Sequence, residues 1–146
     1  KDDKKKFIVN GIENRIEQII ANLLYNSIAF SEDNKKILVE IYKGDKDKII
    51  LKVIDDGKGF IEIDTKKIFD RFYINRPDNF GEHSGLSLNI VKNLVELHGA
   101  SISAANNTVQ KGANIEIMFP KPKHKLINQF FIVEDRSMDD FKVKDI

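Results

Sequence analysis

Between residues 13 and 30 the aliphatic side chains of Ile16, Ile19, Ile20, Leu23 and Leu24 recur at three- and four-residue spacing, with Ile12 just ahead of them. That period predicts a long amphipathic helix, and the rest of the chain has to cover its apolar stripe. Turn chemistry at Ser31-Glu32-Asp33-Asn34 ends it. Downstream the period changes. Residues 37–42 and 49–54 are β-rich runs separated by the charged stretch Lys43-Gly44-Asp45-Lys46-Asp47-Lys48, which predicts an antiparallel hairpin. A second helix is expected over 86–97, with Leu86, Ile90, Val91, Leu94 and Leu97 on one face and Gly99 placed to stop it. Residues 100–105 and 114–119 form a second hairpin around Asn106-Asn107, closed by Pro120. Phe7-Ile8-Val9 reads as a short strand and residues 65–72 as a short helix. This order predicts an α/β sandwich: a mixed, mainly antiparallel sheet with helices packed on one face.

The 146 residues, 41% of them hydrophobic, suffice for one such core. The domain is expected to span residues 1–120. Residues 121–146 carry alternating charges and one apolar cluster, Phe130-Phe131-Ile132-Val133, and read as a flexible or loosely docked tail. Composition excludes several functions. With 24 basic and 23 acidic side chains the net charge is +1, which does not suit a phosphate-tracking nucleic-acid binder. The absence of cysteine removes disulfide frameworks, thiolate zinc sites and cysteine nucleophiles. His83, His98 and His124 stand too far apart for local metal-ligand spacing. No apolar run approaches the roughly 18 residues that cross a bilayer, and Lys1-Asp2-Asp3-Lys4 opens no signal-peptide core. The expectation is a soluble intracellular domain excised from a longer protein.

Three segments carry chemistry. On the first helix Gln18, Asn22 and Asn26 stand four residues apart and share a face. Asparagine competes for backbone hydrogen bonds and is a mediocre helix former. Two of them among aliphatics are therefore either a solvated polar face or amide oxygens held toward a ligand or a hard cation such as Mg2+. The second segment, Asp55-Asp56-Gly57-Lys58-Gly59, directly follows an apolar strand. Its glycines let the backbone approach a ligand, and its first carboxylate can accept a hydrogen bond from an exocyclic amine such as adenine N6. An ordinary Asp-Gly turn reads the same way. The third segment is Gly81-Glu82-His83-Ser84-Gly85-Leu86-Ser87-Leu88-Asn89-Ile90, a glycine-containing turn feeding a helix N-terminus. Free N–H groups and the positive dipole end favour phosphate there, while Ser84 or Ser87 acting as a simple helix cap is the plainer reading. Arg71 and Arg76 flank the preceding loop and can fork onto phosphate oxygens. No Gly-Lys-Ser/Thr marks a Walker loop.

Together these segments resemble the ATP-binding (catalytic) domain of sensor histidine kinases, within the Bergerat or GHKL ATPase superfamily. Asn14-Arg15-Ile16-Glu17-Gln18-Ile19-Ile20-Ala21-Asn22-Leu23-Leu24-Tyr25-Asn26-Ser27 looks like the N box. Asp55-Asp56-Gly57-Lys58-Gly59 matches the D-x-G-x-G box, Ile68-Phe69-Asp70-Arg71-Phe72-Tyr73 the F box, and Ser84-Gly85-Leu86-Ser87-Leu88 the second glycine box. Lys111-Gly112-Ala113-Asn114-Ile115-Glu116-Ile117-Met118-Phe119-Pro120 resembles the closing strand. The boxes keep family order across residues 7–120. Phe72-Tyr73-Ile74-Asn75-Arg76-Pro77 and His83-Ser84-Gly85-Leu86 are similar to the lid words of ChvG-type sensor kinases of alphaproteobacteria.

The resemblance implies ATP and Mg2+ as cofactors. Asn26 would hold Mg2+ through its amide oxygen, with Asn22 close to the same ion or the phosphates. Asp55 would accept the adenine amino group, and Gly57 and Gly59 would let the loop close over the base. Phe30 would sit near the nucleotide, and Phe69 and Phe72 would anchor the lid. Arg76, with Arg71 as a second candidate, would neutralise phosphate charge, and Gly85, Leu86, Ser87 and Leu88 would present backbone N–H groups. Phosphoryl transfer of this kind relies on positioning and charge stabilisation more than on acid–base groups.

Four positions depart from the pattern. Ser87 stands where the family usually has the second glycine of G-L-G-L. Ala29 stands where many members have a basic residue, and Ala113 and Asn114 where threonines are frequent. No histidine precedes an acidic residue: His83 is followed by Ser84, His98 by Gly99 and His124 by Lys125. His98 reads as a structural residue at a helix end. The phosphoacceptor is therefore expected on a separate dimerisation domain N-terminal to Lys1. Family architecture further implies a homodimeric full-length protein, a response regulator as partner, no nucleic acid, and a cytoplasmic domain of an inner-membrane sensor. Two rivals stay open: a serine/threonine kinase or other Bergerat ATPase, and a degenerate interaction module without nucleotide.

Overall fold

The computed structural model describes residues 6–31, 36–61, 64–73, 85–107, 111–122 and 130–134. In chain order the elements are β1 (Lys6–Asn10), α1 (Glu13–Phe30), β2 (Ile37–Lys43), β3 (Ile49–Asp55), α2 (Ser87–Leu97), β4 (Ser101–Asn106), β5 (Ala113–Phe119) and β6 (Phe130–Glu134). The helical period at the start of the chain becomes α1, whose buried residues Ile16, Ile19, Leu23, Asn26 and Ser27 trace one stripe. Three- and four-residue steps stay on one side of a helix with 3.6 residues per turn. α2 packs beside it and buries Val91 and Val95.

Strands β2, β3, β5 and β4 form one sheet in that order. All described pairings are antiparallel, so among these residues the expected mixed sheet has no parallel pair. Alternation sorts the two faces. Leu51 stands opposite Ile117 and Ile117 opposite Ile102, while Val53, Ile115 and Ala104 make the adjacent row. With Ile49 and Phe119 these residues meet Ile16, Ile19, Leu23, Val91 and Val95 in a single core. Each fully buried aliphatic side chain contributes about 1.5–3 kcal/mol. On the opposite face Lys52 lies between Glu40 and Glu116 in the register, with Nζ 3.1 Å from Glu116 Oε2. The helices therefore cover one side of the sheet, as expected.

Two features differ from expectation. The helix expected over 65–72 is a tight helical turn, Thr65–Phe69, opened by Asp64 Oδ1 accepting the Lys66 N–H at 3.2 Å. The chain is extended at Asp70 and left-handed at Phe72, whose N–H donates to Gly85 O at 3.0 Å. A long-range bond thus stops the helix, and local propensity carries no sign of it. Secondly, β1 pairs with β6 and not with the main sheet, in register from Lys6↔Glu134 to Asn10↔Phe130. The segment expected as a flexible or loosely docked tail therefore supplies a strand beside the entry to α1. No helix among the described residues is long and apolar enough to cross a membrane.

Candidate functional site

Along β3 the side chains of Leu51, Val53 and Asp55 share a face, because successive residues alternate. Asp55 takes the next core-facing position after the last aliphatic, at the strand end, and is 6% exposed. Its Oδ1 accepts the Gly57 N–H at 2.9 Å and the Ala113 N–H at 3.1 Å. One donor comes from its own turn and the other from β5, so the carboxylate is held from two directions. Oδ2 has no hydrogen-bond partner among the described residues and remains available as an acceptor. A ligand donor that enters the cleft can take the place of solvent at this oxygen.

Two neighbours of Asp55 escaped the sequence reading as site residues. Gly112 has φ of 141°, and a Cβ on it would sit 1.8 Å from Asp55 O. Only glycine lets the start of β5 approach the strand end this closely. Asn106, read as a turn residue, instead grips the loop that follows Gly59. Its Oδ1 accepts the Phe60 N–H at 2.6 Å and its Nδ2 donates to Phe60 O at 2.9 Å. The partners are 46 residues apart, and nothing local to Asn106-Asn107 signals the contact.

On α1 each four-residue step advances about 40° around the axis, so the row of Gln18, Asn22 and Asn26 rotates from the rim toward the core. Gln18 Oε1 accepts from Arg15 Nη1 at 3.1 Å, and Asn22 is half-buried. Asn26 reaches the core stripe at 9% exposure. Its Oδ1 accepts from Ser87 Oγ at 3.0 Å, and its Nδ2 is buried without a partner among the described residues. Ser87 is thus not the cap of α2. Leu86 holds the N-cap position with no side-chain cap bond, so among the described residues no side chain caps the first-turn N–H groups.

These groups line one cleft, bounded by Asn26, Ser27, Phe30, Asp55, Gly59, Phe60, Ile68, Tyr73, Gly85, Ser87, Leu88, Ala113 and Ile115. Of the expected binding residues, Asn26, Phe30, Asp55, Gly59, Gly85, Ser87 and Leu88 converge there. Gly57 stands behind Asp55 as a donor, and Leu86 heads α2 without lining the cleft. Asn22 is not in the lining. Phe72 also stays out: left-handed backbone and the bond to Gly85 leave it 62% exposed, with the Arg71 guanidinium 4.9 Å over its ring. Arg71 is accordingly turned to Phe72 and not to the cleft, while Phe69 is buried and Tyr73 lines the wall. Phe60, Ile68 and Tyr73 are lining residues that sequence reasoning did not assign to the ligand. Arg76, His83, Ser84 and His124 lie outside the described residues. His98 is structural, as expected: Nδ1 lies 2.6 Å from Leu94 O, and Nε2 accepts the Ile12 N–H at 3.1 Å.

Among the described residues no group of three or more His, Asp or Glu side chains gathers to hold a metal. The oxygens of Asn26 and Ser87 are hard, neutral donors, which fit Mg2+ when a ligand brings further oxygens with it. The cleft therefore combines an oriented carboxylate acceptor, apolar walls, neutral oxygen donors and a helix N-terminus whose cap residue supplies no side-chain oxygen. That donor set suits a planar amine-bearing ring joined to an anionic tail.

Comparison with known proteins agrees with this chemistry. The family model described as histidine kinase-, DNA gyrase B-, and HSP90-like ATPase matches residues 11–123. The sensor protein ChvG of Agrobacterium fabrum (strain C58) is 42% identical over 106 residues, covering 70% of this chain and 18% of that protein. The chain thus spans less than a fifth of that relative's length. Among solved structures, the mycobacterial sensor histidine kinase MprB superposes with a TM-score of 0.70 at 26% identity, over 77% of this chain and 76% of that one. Full-length ShkA in complex with AMPPNP superposes with a TM-score of 0.62 at 25% identity, over 74% of this chain and 22% of that one.

Proposed function

We infer the function from one premise: the chain belongs to the family of histidine kinase-, DNA gyrase B- and HSP90-like ATPases. Within that family its reading is the ATP-binding catalytic domain of a two-component sensor histidine kinase. It would deliver the γ-phosphoryl of ATP to a histidine on a dimerisation domain of the same full-length protein. The observation that carries the reading is the cleft shared by Asp55 and Asn26, with Asp55 Oδ1 held by two backbone donors and Oδ2 left for a ligand.

Asp55 accepts the adenine amine, and the N–H groups of Gly57 and Ala113 keep its carboxylate in plane. Phe30, Phe60 and Ile68 exclude water from the base. Asn26 presents its amide oxygen to Mg2+, with Asn22 as a supporting candidate. The turn through Gly85 and the start of α2 at Leu86, Ser87 and Leu88 offer N–H groups to the phosphates. Arg76, and Arg71 if it leaves Phe72, supply positive charge. ATP supplies the phosphoryl group and Mg2+ the neutralising charge, while the protein supplies position and electrostatics. A response regulator, a homodimeric full-length protein and attachment to an inner membrane complete the proposal, resting on the likeness to sensor kinases.

Calorimetry of the chain with Mg-ADP tests the reading. Heat of binding and thermal stabilisation are expected, with guanine nucleotides much weaker. No heat and no stabilisation at millimolar nucleotide refutes it. Incubation with ATP and a histidine-bearing dimerisation domain should then yield acid-labile phosphate; acid-stable phosphate would point to a serine/threonine kinase instead.

A further inference from the structure

We propose that Ser87 is a metal ligand, its hydroxyl and the Asn26 amide oxygen forming a two-oxygen seat for the divalent cation that accompanies the nucleotide. The proposal rests on the nucleotide-binding reading and goes beyond it, because glycine is the residue that the family resemblance leads one to expect at position 87.

Ser87 Oγ and Asn26 Oδ1 lie 3.0 Å apart. An octahedral Mg2+ site holds its oxygens at about 2.0–2.1 Å, which places adjacent ligands about 2.8–3.0 Å from each other, the ligand distance times the square root of two. The two oxygens already stand at the spacing of neighbouring vertices. Only the hydroxyl proton has to turn away, and a serine O–H rotates freely to suit its partner. Asn26 Oδ1 keeps a lone pair beyond the one that accepts the hydroxyl proton, and Ser87 Oγ, the donor, keeps both of its own. Both residues line the cleft, so the pair is open to what binds there. Among the described residues Asn26 Nδ2 is buried with no partner, so the bond from Ser87 is the one that orients the amide there. A cation would replace that bond with a stronger one and leave no carbonyl oxygen unused.

Two neutral oxygens do not strip water from free Mg2+, so the cation has to arrive with phosphate oxygens. This separates the proposal from its plain competitor, a hydrogen bond that merely ties α1 to α2. A tie is lost equally with and without metal. A ligand is felt only when metal is present.

The test titrates AMPPNP into the 146-residue chain by calorimetry over a series of MgCl2 concentrations and in EDTA. In Ser87→Ala the Mg2+ concentration giving half of the metal-linked tightening should rise about tenfold, and the loss of affinity in Mg2+ should exceed the loss in EDTA. Ser87→Thr keeps a hydroxyl and should keep the parent midpoint. Ser87→Cys replaces the hard ligand by a soft one and should shift preference from Mg2+ to Cd2+. Equal losses in Mg2+ and EDTA for Ser87→Ala, or a Cys variant that keeps the parent's preference for Mg2+, overturn the proposal while leaving nucleotide binding intact. A parent chain that binds no AMPPNP under any condition overturns the nucleotide reading and this proposal with it.

Discussion

Replacing Asp55 by Asn turns one carboxylate oxygen into an NH2 group, and the surrounding backbone decides which one. The N–H groups of Gly57 and Ala113 both donate into Oδ1, at 2.9 and 3.1 Å, so only the amide oxygen can stand there. Nδ2 is driven into the Oδ2 position and faces the cleft. An adenine amine then meets a donor where it met an acceptor. The loss of affinity should be about 1–3 kcal/mol, roughly 5- to 150-fold. A guanine carbonyl presents an acceptor at the same place and gains a partner. The ATP-to-GTP affinity ratio should therefore fall by more than the loss on ATP alone. Folding should suffer less. Both bonds into the pinned oxygen survive, each at about half its charge-assisted strength, for a stability loss of about 1–2 kcal/mol. Calorimetric titration of both nucleotides into parent and variant reads the ratio, and urea melts establish that the variant is folded. A folded variant whose ratio stays within about twofold of the parent, less than 0.5 kcal/mol, refutes the assignment of Asp55 as the base reader.

Asn26→Ala should weaken Mg-AMPPNP more than metal-free AMPPNP, and an unchanged Mg2+ dependence would count against its metal role. Gly112→Ala places a Cβ against Asp55 O with left-handed backbone, and should lower stability by about 1–3 kcal/mol or more together with nucleotide affinity; a parent-like thermal melt contradicts this close approach. His98→Ala leaves the Ile12 N–H without its ring acceptor and should cost about 1 kcal/mol in urea unfolding, with nucleotide affinity unchanged. Asp47 is held below its ordinary carboxyl value of 3.8, first by the hydrogen bond and charge of Lys121 and then by Lys43. Its ionised form therefore adds stability above pH 3.8, and that contribution disappears as pH falls through the lower folded-state value. The urea midpoints of parent and Asp47→Asn should converge toward the acid end, the difference at neutral pH being small for so exposed a pair; a gap that persists in acid contradicts the pairing.

Much of the site lay within reach of local periodicity. The alternation that buries Leu51 and Val53 continues to Asp55, and the stripe of Ile16, Ile19 and Leu23 continues to Asn26. Covalent geometry sets both periods over a few residues, so each polar group could be assigned to a core-facing side without knowledge of the other. The helices, both hairpins and the layered architecture followed from the same short-range rules. Tertiary structure decided the rest. Ser87 turns from helix cap to partner of Asn26, Asn106 grips Phe60, and Phe72 is drawn out of the cleft by Gly85. β1 finds β6 at the far end of the chain. These bonds join groups distant in sequence, and their partners meet only after burial of the apolar faces has brought α1, α2 and the sheet together. A local pattern states which face a side chain takes; what waits for it there depends on the packed whole.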